Sequence, residues 1–273
     1  MQPSWLVNGR QEQVDPRDRG LAYGDGLFET MACHAGGIRW IEHHLDRVLY
    51  GCRRLAIPVF DRNLLRSEIL SVCPIAGSAV IKLIVTRGIG ERGYRAPEPA
   101  SPTRIVSTAP WPEIPAEHYT VGVSLKTCTL RLGENPQLAG LKHLCRLEQV
   151  LAQMELAGSD AGEGLLRGSS GLVVGGITSN LFAVRDGRLL TPRVNRCGVA
   201  GVMRRVVLKH AADTGLDSSE ADLDVTALVE SEELFITNAV FGIKPVRALD
   251  THEFGVGPTT CRLMRLLGYG PVT

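Results

Sequence analysis

The sequence predicts two α+β domains, and three observations lead there. The chain has 273 residues, well beyond the roughly 100–150 of a common single domain. Strand-like and helix-like stretches are mixed along both halves instead of separating into all-helical and all-strand blocks. Three prolines crowd Pro110-Trp111-Pro112-Glu113-Ile114-Pro115, which can continue neither a helix nor a central strand. Residues 110–115 are therefore predicted as a linker between an N-terminal domain, 1–109, and a C-terminal domain, 116–273.

In the first domain, Trp5–Val7 reads as a short strand closed by Asn8-Gly9. Leu27–His34 is a longer strand that turns at Gly36-Gly37 and resumes at Ile38. From Trp40 to Ala56, apolar residues at 41, 45, 48, 49, 52, 55 and 56 alternate with charges at helical spacing, and Pro58 ends the run. Asn63–Val72 is a second amphipathic helix. Ala79–Thr86 and Arg104–Thr108 are β-rich and flank a loop with three glycines and three prolines. In the second domain a strand is expected near Thr120–Thr127, then a loop over Leu132–Gly140 and a helix from about His143 to Leu156, stopped by Gly158. Short strands with glycine turns follow from Leu165 to Leu190. Helices are expected at Val202–Ala212 and Thr259–Leu267, and strands at Glu233–Asn238 and Val246–Leu249.

Composition removes several function classes. Lysine and arginine total 30 against 29 acidic residues, a net charge of +1, which argues against nucleic acid as a partner. No run approaches the ~20 apolar residues of a membrane span, and the N-terminus carries no basic-then-apolar export signal. Seven cysteines, scattered and odd in number without a C-x-x-C, predict neither a disulfide framework nor a metal site, and a reducing cytoplasm is expected. Gly88-Ile89-Gly90-Glu91-Arg92-Gly93 matches a dinucleotide-binding pattern. The following Tyr94-Arg95-Ala96-Pro97-Glu98-Pro99 cannot open the helix such a site needs, so the motif reads as a flexible loop. His43-His44 with Asp46 lacks metal-ligand spacing, and Gly168-Ser169-Ser170-Gly171 lacks that of a nucleophile elbow.

Only five of the basic residues are lysines, at 82, 126, 142, 209 and 244, so amine chemistry has few candidates. Four read as solvated cations. Lys142 differs, because it follows the small, apolar Leu138-Ala139-Gly140-Leu141 at the expected start of a helix. A lysine in apolar surroundings loses its proton more readily and becomes a nucleophile.

The block around it carries a resemblance. Arg131-Leu132-Gly133, Asn135-Pro136, Leu138-Ala139-Gly140-Leu141-Lys142-His143-Leu144 and Arg146-Leu147-Glu148-Gln149-Val150-Leu151-Ala152 resemble the segment around the cofactor lysine of fold-type IV pyridoxal-phosphate enzymes. Further matches keep the expected order: Asp18–Thr30, Glu42–Val48, Thr86–Tyr94, Thr178–Phe182, Gly198–Arg204 and Thr237-Asn238. The resemblance implies a two-domain α+β fold with the cofactor cleft between the domains. It also implies a homodimer acting on a small-molecule substrate, with no nucleic acid or membrane partner.

Residue by residue, the resemblance makes Lys142 the covalent anchor of pyridoxal 5'-phosphate and the base, and Arg47 an ion pair to the phosphate. Val202 and Met203 would offer backbone N–H groups from a helix N-terminus, which favours an anion. Thr178, Thr237 and Asn238 would complete the cup. Thr30 and the lysine block are most similar to the carbon–oxygen lyases of the family. The implied reaction converts 4-amino-4-deoxychorismate to 4-aminobenzoate and pyruvate, a step of folate biosynthesis. Thr30 would relay a proton, and Arg92 or Arg104 would pair substrate carboxylates. Two positions depart from the pattern. Gly175 stands where a glutamate faces the pyridine nitrogen, and Cys145 replaces an asparagine. Two alternatives stay open: a D-amino-acid or branched-chain transaminase, and a non-catalytic cofactor-binding paralogue.

Overall fold

The computed structural model describes residues 4–269. The chain forms two compact units. One runs to Glu113 and includes Leu141–Cys145; the other holds Ile114–Gly140 and the chain from Arg146 onward.

The first unit contains β1 (Trp5–Val7), α1 (Arg19–Tyr23), β2 (Gly26–His34), β3 (Gly37–Ile38), α2 (Ile41–Arg54), α3 (Arg62–Ser71), β4 (Ser78–Thr86) and β5 (Arg104–Pro110). Its antiparallel sheet has the order β1-β5-β4-β2-β3. Alternation along β2 and β4 buries Leu27, Glu29, Met31 and Cys33 with Ile81, Leu83 and Val85 on one face. Helix α2 packs on that face so closely that a side chain at Gly51 would meet Leu27 at 2.6 Å. Phe28, Thr30, Lys82 and Ile84 lie on the opposite, more open face. Strand β5 extends two residues past the expected Thr108. Pro110 is the last residue of β5, opposite Ala79 of β4, a strand end where its missing N–H interrupts no inner part of the ladder.

The second unit contains α4 (Glu117–Thr120), β6 (Val123–Leu132), α5 (Leu147–Glu155), β7 (Glu163–Gly168), β8 (Val173–Gly176), β9 (Asn180–Arg185), β10 (Arg188–Pro192), α6 (Val202–Asp213), β11 (Ser218–Ala221), α7 (Val225–Val229), β12 (Glu233–Asn238), β13 (Gly242–Leu249), β14 (His252–Glu253) and α8 (Pro258–Leu266). Its mixed sheet has the order β11-β10-β9-β12-β13-β6-β7-β8, with β14 beside β13. Phe182 and Phe235 stack at 4.9 Å in its core. Strand β6 runs to Leu132, past the expected Thr127, because a register shift against parallel β7 brings Arg131 opposite Arg167 and Leu132 opposite Gly168.

The segment bearing Lys142 overturns one expectation. Lys142 does not start a helix; α5 begins only at Leu147. Residues 142–144 instead pair with the edge of β2, where the Phe28 N–H donates to the Lys142 carbonyl (2.9 Å) and Leu144 N–H to the Gly26 carbonyl (3.0 Å). Strand β3 reaches only Cys33 and His34, which leaves that edge of β2 open for pairing. Gly140, at φ +79°, turns the chain toward it.

Candidate active site

In the first unit, the Lys142 ammonium sits 4.2 Å from the centre of the Phe28 ring. Lys82 approaches the same ring at 5.5 Å, and Thr30 is the cross-strand neighbour of Lys82. Lys142, Lys82, Phe28 and Thr30 thus form one constellation around the open face of the sheet.

On the buried face lies a charged trio. Arg47 donates to Glu29 through Nε (2.7 Å) and Nη2 (2.5 Å), and His44 Nδ1 lies 2.6 Å from Glu29 Oε2. Glu29 and His44 are each 1% exposed. Burial alone would push the Glu29 carboxyl up, but the Arg47 charge and the hydrogen bonds from Arg47 and His44 outweigh it and hold it at about 2. Burial pushes His44 down; Glu29 opposes this, while Arg47 and Lys142 add to it. An ionised Glu29 only accepts, so neutral His44 donates from Nδ1. Arg47 was expected to meet a phosphate. The structure shows that the Nε–Nη2 edge of its guanidinium meets Glu29.

Arg104 is corrected. Its Nε and Nη2 both donate to Glu68 at 2.8 Å, and its guanidinium lies over Phe60, so it serves a buried structural pair and not substrate. Arg92 is exposed on the loop between β4 and β5 and has no carboxylate partner among the described residues.

The second unit brings the phosphate-side candidates together. Asn238 Nδ2 donates to the Thr178 carbonyl (3.4 Å). Thr178 Oγ1 donates to the buried Glu163 (2.6 Å), which also receives Ser179 Oγ (3.1 Å) and the Ile177 N–H (3.2 Å). Asn180 pairs with Thr237 across β9 and β12, and its Nδ2 donates to the Val199 carbonyl just before α6 (2.9 Å). Helix α6 opens with Val202 and Met203 behind Gly201, which supplies no side-chain cap. Its first N–H groups therefore face outward from a twelve-residue helix. A side chain at Gly201 would overlap Asn180.

Thr237 is 1% exposed, and its Oγ1 has no hydrogen-bond partner among the described residues. An uncapped helix N-terminus beside an orphaned buried hydroxyl suits a phosphate monoester.

A β-carbon at Gly176 would meet Glu163, whereas one at Gly175 would lie 2.9 Å from the Ser179 carbonyl, on the other side of β8. Gly175 also holds φ +153°. A glutamate there requires the backbone to move. Cys145 is exposed, its Sγ 3.7 Å from the Tyr23 carbonyl.

Sequence reasoning missed Glu29, His44, Lys82 and Glu163. Glu29 left a signal: a carboxylate between Leu27 and Met31 on the inward face of a strand demands a cation.

The two units have the fold-type IV architecture. A solved 4-amino-4-deoxychorismate lyase from Pseudomonas aeruginosa superposes with a TM-score of 0.92 over 96% of this chain and 97% of that one, at 50% identity. The amino-transferase class IV profile matches residues 26–249, and the chain belongs to that family. The aminodeoxychorismate lyase of Vibrio harveyi is 33% identical over 95% of this chain and 97% of its own length. A D-alanine aminotransferase of Staphylococcus aureus is 27% identical over 94% and 92%.

Proposed function

We propose that this protein is a pyridoxal 5'-phosphate-dependent carbon–oxygen lyase that converts 4-amino-4-deoxychorismate into 4-aminobenzoate and pyruvate. The observation that carries the reading is the placement of the Lys142 amine against Phe28, on the strand that also carries Thr30, in a chain half identical to a solved lyase of that name. Bound pyridoxal phosphate supplies the electron sink for a carbanion. Lys142 anchors it, and the Lys142 amine, once free, takes the proton from C4 of the substrate. The C3–O bond then breaks, the ring becomes aromatic, and the enolpyruvate takes a proton at its methylene carbon to become pyruvate. The Thr30 hydroxyl relays that proton. Lys82 and Arg92 offset the two substrate carboxylates. Val202, Met203, Thr178, Thr237 and Asn238 hold the phosphate, and Arg47 adds its charge.

The test is to incubate the holoenzyme with 4-amino-4-deoxychorismate and measure pyruvate and 4-aminobenzoate in equal amounts. D-Alanine or a branched-chain amino acid offered with a keto acid should give almost no amino transfer. A carboxylate beside the pyridine nitrogen sustains transamination, and Gly175 supplies none. Efficient amino transfer without pyruvate release overturns the reading.

Thr237→Val checks the phosphate cradle. It replaces a buried, unsatisfied hydroxyl by a methyl, so the apo-protein should melt at or slightly above the wild-type temperature. Cofactor affinity should fall about ten- to a hundredfold, the value of one hydrogen bond to a charged group. Fluorescence titration with pyridoxal phosphate reads this, and unchanged affinity removes Thr237 from the site.

We also assign a cytoplasmic homodimer. Support for the dimer comes from α5, whose Leu147, Val150, Leu151 and Met154 recur at one-face spacing and are all exposed in the single chain. A second copy of this chain covers that stripe. Light scattering should give twice the 29.6 kDa chain mass for wild type and a monomer for Leu151→Asp. A monomeric wild type overturns the assignment.

A further inference from the structure

The glycine motif that fails as a dinucleotide site has a different use. The loop from Arg87 to Thr103 is longer than connections in compact domains usually are. Beneath it lies Arg19, 4% exposed. Its Nε donates to Asp25 (2.8 Å). Its Nη1 donates to the carbonyls of Gly93 (3.0 Å) and Arg95 (3.2 Å), and its Nη2 to that of Tyr94 (3.1 Å). One guanidinium therefore holds three consecutive carbonyls.

The glycines make this possible. A β-carbon at Gly90 would sit 2.8 Å from Arg19 Cδ, so only glycine leaves the arginine its channel. Gly93, at φ +104°, donates its N–H to the Tyr23 hydroxyl (3.0 Å). The Tyr23 ring in turn lies under the Arg19 guanidinium at 4.9 Å and beside the Tyr94 ring at 5.4 Å. Asp25 is shared with Arg87, which donates to the Leu55 and Ala56 carbonyls at the end of α2. The clamp is thus tied into the body of the unit. What it holds outward is Arg92, Tyr94 (87% exposed) and Arg95, and neither arginine has a carboxylate partner among the described residues.

We propose that Arg19, together with the Tyr23 hydroxyl, is a positioning residue that fixes the 88–95 loop so that its unpaired Arg92 meets a carboxylate of the substrate. This rests on the lyase reading for the identity of the substrate. A loop fixed before binding loses less freedom when the ligand arrives, so the clamp acts on substrate affinity and not on the proton transfers at Lys142. Lysine cannot replace Arg19, because a point charge lacks the planar fork that reaches three carbonyls and Asp25 together.

The test uses holoenzyme with Tyr23→Phe, which removes one acceptor from an exposed-edge ring, and with Arg19→Lys. Tyr23→Phe should raise KM for 4-amino-4-deoxychorismate about three- to tenfold and Arg19→Lys more, with kcat within about twofold. The visible absorbance of the bound cofactor should stay unchanged, and trypsin should cut after Arg92 or Arg95 faster than in wild type. Unchanged KM in Tyr23→Phe, or a joint loss of kcat and cofactor absorbance in both variants, overturns the proposal. A wild type that releases no pyruvate sinks the lyase reading separately. The clamp is then judged on the trypsin rates, and equal rates in all three proteins overturn it.

Discussion

Lys142→Ala is expected to abolish both the visible absorbance of the bound cofactor and essentially all pyruvate release. Two roles fall on one amine, covalent anchor and base, so no other group can make up part of the loss. General base catalysis alone is worth about 10²–10⁴ in rate. The neighbouring Lys82 provides an internal control, because its ammonium lies over the same Phe28 ring without reaching the β2-edge position that Lys142 occupies. Lys82→Ala should keep the absorbance and raise KM. Lys126→Ala and Lys209→Ala should change neither quantity. A Lys142→Ala protein that retained the absorbance, or released pyruvate at a rate near wild type, would transfer the anchor to another lysine.

Most elements were legible because local pattern and tertiary role agree. The α2 stripe at 41, 45, 48, 49 and 52 is the face that packs under β2, and Pro58 lies just past its end. The Lys142 segment was misread for the opposite reason. The apolar periodicity of residues 147–156 continues smoothly upstream, and nothing local announces that 142–144 pair with a strand more than a hundred residues earlier. That pairing exists because β3 is short and leaves the start of β2 uncovered, a fact of tertiary arrangement.

The site divides in the same way. Lys142, Thr30 and the α6 N-terminus were named from motifs. Arg104 carries no local sign of its partner. Its partner Glu68 lies on α3 and faces it only once the sheet is assembled. Arg19 sits in an N-terminal stretch with no sign that it will run beneath Gly90. Charged residues reveal their work through partners, and these partners are distant in sequence.

Glu29→Gln is the second large effect, and it is read in stability. Glu29 is a buried carboxylate whose charge answers Arg47, and removing one member of such a pair costs about 3–5 kcal/mol. The amide keeps the shape, so packing is unaffected, and the loss should fall toward the lower end of that range. The pH profile separates this from a general defect. The folded Glu29 carboxyl, at about 2, lies below its ordinary value. The stability it contributes is therefore fully present above about pH 4.5 and is lost as pH falls toward 2. His44 is also depressed, so its protonation begins to work against the fold as pH drops below about 6.5. Wild type should lose stability in both windows. In Glu29→Gln the lower window should flatten, since no carboxylate remains there to protonate. The upper window should steepen, because His44 loses the anion that partly supports its charged form. Urea midpoints measured from pH 3 to pH 8 on the apo-proteins decide the matter. An acid limb of unchanged slope below pH 4.5 would show that other carboxylates carry it and that the Glu29–Arg47 pair contributes little.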